Sequence, residues 1–520
     1  MLVPLLLTGI FLLSAVTYYF FYLAPKLDPK NRAEQFLMTD RYDDAIVEYK
    51  KILEHRPHDP VALYRLANVY IKVGENDKAV ESLETIVEAG NYSYEVDQLD
   101  VKRKLGKLYY LRDEIEKTFD IFFNLLSSYP GDADSMYHVA FIALGQEEYG
   151  FAQRYFDRLC KSNDVDYETF FGAGMCAYQN QKINECVDYF KKALDKKNDS
   201  KIVILAMAFS LWRKREYSKA LGFASKLVAI SDEIEVRYIA LRLEAILNVH
   251  LKKYDTAVKK LEEVLDLCRQ HDMDDEELLT LYDLGFICVK ADRIQQAETY
   301  WSTLSKTKRS YRNIQNLLMT LQREMERKDA FEFQDSIHDY VDTWLEHFFP
   351  ENFLWNICGL KSEYFFDIKG KITTVKQKGE ARDQKGYDQK AAPDVDNIET
   401  FLKLDTENFR ITANRLVQKF GYRVDEILPT YKEPDGVDFM AVHRETNDKT
   451  YVWVRRWKGM SVGEIPMRNF AQMVNEFKAR KGLFITTVGL TEGAERSLDQ
   501  LSKVTVIRPE EVNDKLRGLI

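Results

Sequence analysis

Side chains able to do chemistry are thinly spread along this 520-residue chain. The six cysteines are Cys160, Cys176, Cys186, Cys268, Cys288 and Cys358; none forms a Cys-x-x-Cys pair and none has a histidine at metal-ligand spacing. Most sit at apolar or small positions of helical segments, where a reduced thiol acts as a small hydrophobe. The lack of a disulfide framework favours a reducing compartment. No glycine-rich phosphate loop, Ser-His-Asp set, His-Glu-x-x-His pattern or calcium loop is present, and the eight histidines are scattered. What remains is a run of short blocks after residue 419. They are Phe420-Gly421-Tyr422, Asp435-Gly436-Val437-Asp438, Tyr451-Val452 leading to Arg456-Trp457-Lys458-Gly459, and Leu483-Phe484-Ile485-Thr486-Thr487 followed by Thr491-x-x-Ala494.

The elements that must position these blocks alternate between helix and strand. A helix is predicted over 405–420, strands at 421–424, 437–442 and 450–456, a helix over 465–480, a strand over 482–487, a helix from about 491 and a last strand at 504–507. That order, α-β-β-β-α-β-α-β, predicts an α/β domain with a mixed central sheet over 396–520.

With the blocks in this order, the region resembles the Mrr-type restriction endonuclease domain of the PD-(D/E)xK nuclease superfamily. The chemistry of that family implies an Asp and a second oxygen ligand holding a divalent metal, and a Lys two residues further on that positions the attacking water. Carried onto this chain, the first ligand falls on Asp438, the second on Trp453 and the lysine on Arg455. Trp453 offers no hard oxygen donor. Arg455 stays protonated and is a poor proton acceptor. A replacement ligand would have to come from Glu407 or Glu464. The resemblance therefore implies a degenerate nuclease site, with no catalytic residue, metal or cofactor expected. A retained fold can still bind DNA by shape and phosphate contacts. Residues 396–520 carry 20 Lys and Arg against 19 Asp and Glu, however, so the basic footprint of a DNA-binding module is missing. A protein-contact role is the leading expectation.

Most of the chain is something else. Between 32 and 307 small and bulky residues recur with a 34-residue period. The small positions are Ala45, Ala67, Gly74, Ala79, Gly106, Ala152, Gly174, Ala220, Ala257 and Ala297; Ala45 to Ala79 is one period, and Ala152, Cys186 and Ala220 keep the same step. This resembles the tetratricopeptide-repeat (TPR) family, with about eight repeats. The resemblance implies helical hairpins stacked into a solenoid, because one hairpin cannot bury its apolar face alone. It also implies a concave surface that takes peptides or partner helices. No clear carboxylate-clamp set appears, so no ligand residue is assigned. Lys191-Lys192 and Lys259-Lys260 read as solvated helix faces.

Residues 308–367 keep helical character and include Val341, Trp344, Leu345, Phe348, Phe349, Phe353, Leu354 and Trp355. A cap that closes the solenoid is the expectation, with an exposed partner face as the alternative. Residues 368–395 are polar and rich in Lys and Gln, the composition of a flexible linker. At the other end, residues 2–23 carry no charged side chain and finish on Tyr18-Tyr19-Phe20-Phe21-Tyr22. That is long enough for a transmembrane helix with an interfacial aromatic belt. Nothing basic precedes Leu2, as a cleaved signal peptide would want, so an uncleaved single-pass anchor in a bacterial inner membrane is expected. Lys26, Lys30 and Arg32 place the soluble body in the cytoplasm by the positive-inside rule, and one short flank leaves the periplasm open.

The fold class that follows is mainly α, a TPR solenoid behind one transmembrane helix, with a C-terminal α/β nuclease-like domain. The function that follows is a membrane-anchored scaffold with protein partners on its repeats. A membrane-linked nucleic-acid binder or nuclease is the rival. In overall layout the chain is similar to membrane-anchored TPR proteins of bacterial assemblies, such as the periplasmic flagellar motor collar of spirochaetes, a resemblance of architecture alone.

Overall fold

The computed structural model describes residues 28–162, 165–326, 337–349, 353–354, 364–366, 372–374, 396–430, 435–458 and 461–519. The expected anchor at 2–23 lies outside them, as do most of the 368–395 linker, Trp355 and Cys358. Among the described residues no helix is long and apolar enough to cross a membrane. They divide into two compact units, one drawn from Met1–Ile142, Lys458–Glu476 and Val488–Thr505, the other from Ala143–Trp457, Phe477–Thr487 and Val506–Ile520.

Sixteen helices run from residue 29 to 307 in alternating first and second positions. They are α1 (Pro29–Met38), α2 (Tyr42–His55), α3 (Pro60–Val73), α4 (Asn76–Ala89), α5 (Gln98–Leu111), α6 (Ile115–Ser128), α7 (Ala133–Gly145), α8 (Tyr149–Leu159), α9 (Tyr167–Gln179), α10 (Ile183–Lys196), α11 (Lys201–Arg213), α12 (Tyr217–Ile230), α13 (Ile234–His250), α14 (Tyr254–Gln270), α15 (Asp274–Lys290) and α16 (Ile294–Thr307). Several start on a side-chain cap: Asp59 accepts from the amides of Val61 and Ala62 ahead of α3, and Asp166 from that of Thr169 ahead of α9.

The turn inside every hairpin contains one residue in the left-handed region. These are Asp40, Gly74, Asp113, Glu147, Gln181, Arg215, Lys252 and Asp292, with φ between 54° and 82°. Only Gly74 adopts that conformation without a steric penalty.

Close approach within the hairpins has a fixed geometry. A small residue on the first helix is followed, 16 positions later, by a buried partner position on the second: Ala33 and Tyr49, Ala67 and Leu83, Gly106 and Phe122, Gly174 and Phe190, Ala245 and Leu261, Gly285 and Trp301. A Cβ on Gly106 would lie 2.8 Å from Phe122, and one on Gly174 or Gly285 would enter the rings of Phe190 or Trp301. The small positions Ala45, Ala79, Ala152, Ala220, Ala257 and Ala297 on the second helices are fully buried. The looser spacing late in the array has a simple cause. Helices α13, α14 and α15 are 17 residues long where most others have 13 or 14, so each adds about one turn.

Two helices follow, α17 (Ile314–Glu326) and α18 (Ile337–Glu346). Helix α17 packs on α16, and α18 lies against α15 as well as α17. Further on, Tyr364–Phe366 pairs antiparallel with Ile372–Thr374, where the sequence suggested helix and then linker.

The C-terminal part contains α19 (Asp396–Lys403), α20 (Thr406–Lys419), β1 (Tyr422–Leu428), β2 (Gly436–His443), β3 (Lys449–Arg455), α21 (Glu464–Glu476), β4 (Lys481–Thr486), α22 (Glu492–Gln500), β5 (Val504–Ile507) and α23 (Pro509–Leu516). The sheet order is β1-β2-β3-β4-β5; β1, β2 and β3 are antiparallel, and β3 pairs with β4 in parallel. The mixed sheet agrees with the sequence expectation. Helix α21 stops four residues early, and α19 and α23 were not anticipated. Both short helices supply Ile398, Phe401, Val512 and Leu516 to a core completed by Phe409, Val437, Phe439, Val452, Val454, Leu483 and Ile485.

Candidate functional site

Strand alternation decides which face each candidate takes. Val437, Phe439, Val452 and Val454 belong to the apolar core, so Asp438, Tyr451, Trp453 and Arg455 project from the opposite face. In the β2–β3 register Asp438 lies across from Trp453, and Gly436 from Arg455. The structure therefore brings all three sequence-derived positions together, and all three are buried.

What they form is a closed polar chain. Trp453 Nε1 donates to the Tyr451 hydroxyl at 3.0 Å, and that hydroxyl donates to Asp438 Oδ2 at 2.9 Å. Arg455 Nη2 stands 2.7 Å from Asp438 Oδ1, a charge contact off the hydrogen-bonding axis. Its Nη1 donates to the Val437 and Val454 carbonyls at 3.3 and 3.2 Å. The guanidinium lies 4.1 Å from the centre of the Trp453 ring, and the Trp453 edge meets Phe484. Burial, followed by the Asp438 charge, raises the Tyr451 hydroxyl pKa far above its ordinary value. Both Asp438 oxygens are thus directed at protein groups, and the cation that faces them is the guanidinium of Arg455.

Glu407 is exposed on the first turn of α20. Glu464 is buried at the start of α21, with Arg468 Nη2 at 2.6 Å from its Oε1, and burial raises its pKa. Arg468 also holds Asp120 Oδ1 of α6 at 2.9 Å and covers the Phe123 ring at 4.7 Å. Among the described residues no group of three or more His, Cys, Asp or Glu side chains is arranged to hold a metal ion.

A second polar centre lies on the first helices of the late repeats. Arg242 of α13 donates through Nη2 to Asp283 Oδ2 of α15 at 2.6 Å, and both are buried. The other Asp283 oxygen accepts from Trp344 Nε1 of α18 at 2.8 Å. Burial raises the Asp283 carboxyl pKa, against the pull of Arg242 and the hydrogen bond from Trp344. Aromatic rings enclose the pair. Trp344 stacks on Phe286 at 5.2 Å, and the Arg242 guanidinium lies 4.6 Å from the Phe348 ring and 5.2 Å from that of Phe349. Phe349 and Phe353 meet Phe209 of α11 at 5.0 and 5.3 Å. Exposure of this stretch as a partner face is thereby overturned, since Val341, Trp344, Phe348, Phe349 and Leu354 are buried. It does more than cap the last hairpin, because it reaches three successive first helices.

Sequence reading missed this centre and the Tyr451 bridge. A signal existed for both. Arg242 interrupts the buried run Ala240-Leu241-Arg242-Leu243, and Tyr451 shares strand parity with Trp453 and Arg455. Cys176, Cys186, Cys268 and Cys288 are buried free thiols, as their apolar settings suggested; Cys160 is half-buried.

These two regions define a protein of two classes joined in one chain: helical repeats and a restriction-endonuclease-like sheet domain. Comparison with known proteins agrees. Residues 401–516 match the Mrr restriction endonuclease family model, and residues 36–93 match a tetratricopeptide repeat model. No curated protein gives a significant match. Among solved structures, a tetratricopeptide repeat protein from Parabacteroides merdae is 14% identical over 49% of this chain and 97% of its own, at a TM-score of 0.34. The C-terminal part of a TPR protein from Cytophaga hutchinsonii is 14% identical over 55% and 98%, at 0.33. MamA is 23% identical over 32% and 94%, at 0.29.

Proposed function

We propose that this protein is an interaction scaffold that gathers protein partners on its TPR hairpins, is tethered to a bacterial inner membrane by residues 2–23, and uses its nuclease-fold domain for docking rather than cleavage. The observation that carries the last part is the Asp438–Arg455 pair. The Arg455 guanidinium faces the Asp438 carboxylate at 2.7 Å, and Trp453 takes the place of an oxygen ligand. The array supports the first part, because its recurring residues are those of packing and none is a nucleophile or a general acid. The uncharged run at 2–23 supports the tether, and the basic flank favours a cytoplasmic body. Membership of a membrane-bound assembly follows from the combination; a periplasmic collar of the spirochaete type would need the opposite orientation.

The test is in-cell cross-linking of the tagged full-length chain, followed by identification of what is recovered. A few proteins in near-stoichiometric amounts, lost on deletion of the repeats, are the expected result. Recovery of DNA without a dominant protein partner would overturn the scaffold reading. A companion assay measures Mg²⁺-dependent DNA cleavage, expected to be absent from the natural chain. Cleavage that disappears in Asp438→Ala would restore the nuclease reading, and Trp453→Gln with Arg455→Lys asks whether the site can be revived.

A further inference from the structure

The first helices α11, α13 and α15 each pack on their own second helix, and Gly285 lies so close to Trp301 that a Cβ would enter the ring. Residues 337–349 and 353–354 add a layer on these first helices from outside the hairpins. It is also poorly equipped to stand alone, since a 10-residue helix is marginal in water. The surface below it has the anatomy of a recognition site. It offers an apolar shelf from Phe209, Trp212 and Phe286, a buried anchor that reads an indole N–H at Asp283, and a rim contact from Lys290 Nζ to Asp342 Oδ1 at 3.4 Å. Arg242 keeps Nε without a hydrogen-bond partner among the described residues.

We infer that the first-helix face of repeats six to eight is a binding site for an aromatic amphipathic helix, and that residues 337–349 of the same chain occupy it as a displaceable internal ligand. The recognised pattern is an acid, then a tryptophan two residues on, then paired phenylalanines: Asp342, Trp344, Phe348 and Phe349. An external partner for this face would carry the same chemistry and compete with the internal segment for Asp283 and the Phe209 shelf. Tethering gives the internal copy a high effective concentration, so it holds the face until a partner outcompetes it. This inference rests on the reading of the repeats as a protein-binding array.

The experiment uses the full-length chain and a fluorescent synthetic peptide of residues 337–349 as the probe. The double variant Trp344→Ala, Phe349→Ala weakens the internal ligand. It is expected to bind the peptide at least tenfold tighter than the natural chain does, and Asp283→Ala added to that background is expected to abolish the gain. No gain in a variant whose far-ultraviolet circular dichroism is unchanged would overturn the inference. So would a variant that loses its helical signal, because the segment would then be integral core. Hydrogen exchange on the natural chain gives an independent reading: the α18 amides should exchange at least tenfold faster than those of α13 and α15, and exchange of all three at one common rate would overturn the inference. Either failure leaves the cross-linking result on other partners untouched, so the two readings fall separately.

Discussion

Two buried Arg–Asp pairs, each beside a tryptophan, sit in different parts of this molecule and do different things. In the sheet, Asp438 and Arg455 come from adjacent strands, and Trp453 and Tyr451 from the same strand as the arginine. The polar contacts described for that centre come from its own sheet. In the array, Arg242 and Asp283 come from successive first helices, and the tryptophan arrives from position 344, after the hairpins have ended. That centre is finished by a separate segment. The contrast teaches that a buried ion pair does not identify a function; what matters is whether the groups that satisfy it belong to the same element or come from elsewhere. A buried pair by itself is weak evidence for stability too, since desolvation of two charges opposes their attraction.

The comparison can be broken most directly by stranding one charge. Arg455→Leu leaves the Asp438 carboxylate buried and is expected to cost the C-terminal domain about 3–5 kcal/mol, with much of that recovered when Asp438→Leu is added. Chemical denaturation of the single and double variants measures it. A single variant within about 1 kcal/mol of the natural chain would mean that water already reaches the pair.

A smaller change sharpens the difference. Trp344→Phe keeps the ring against Phe286 but removes the donor to Asp283, so about 1–3 kcal/mol should be lost. The loss should appear as faster exchange of α18 amides, with α13 and α15 little affected. In the sheet, Trp453→Phe removes a donor to Tyr451 instead, and global stability of the domain should register it.

His138 supplies a contrast with both pairs, a buried ionisable group whose Nε2 has no hydrogen-bond partner among the described residues. Its Nδ1 contacts the Asp134 carbonyl at 2.8 Å, and its ring stacks on Phe122 at 4.3 Å. Burial holds its pKa below the ordinary value, against the raising effect of Asp134. The unfolded chain takes up a proton as pH falls through about 6.5, while the folded chain does not until its own lower pKa is reached. Stability is therefore full above pH 6.5 and declines below it by about 1.4 kcal/mol per pH unit over that window. Urea midpoints at several pH values should show the slope, and His138→Phe should remove it.

The smallest effect concerns the hairpin turns. Arg215→Gly relieves a left-handed residue at φ 63° and should raise stability by about 0.5–1 kcal/mol after the added freedom of the unfolded chain is counted. Gly74, already relaxed, is the control: Gly74→Arg should lower stability by a similar amount.

Much of this architecture could be read from residues. The 34-residue period persists because each hairpin repeats the same close approach, so small residues such as Gly174 and Gly285 must recur opposite Phe190 and Trp301. The period drifts late in the array only because three helices are a turn longer. Strand parity puts Trp453 and Arg455 on one face of β3, while the register that sets Asp438 beside them belongs to the sheet. Helices α19 and α23 were hidden because eight residues give too short a window for a 3.6-residue period to stand out. The Trp344 segment was legible as aromatic but not as to where it goes.

The sequence by itself determined the local and periodic features: the hairpins, the α/β alternation and the exchange of ligand types at positions 453 and 455. These depend on contacts between residues a fixed and short distance apart, which the residue pattern records. Only the tertiary structure decided that Arg455 faces Asp438 as its counter-ion, that Tyr451 bridges Asp438 to Trp453, and that residues 337–349 lie against three first helices and complete the Arg242–Asp283 centre. Those outcomes join positions with no fixed spacing, 61 residues apart between Asp283 and Trp344. They are set by burial of polar groups, which must find partners wherever the fold provides them.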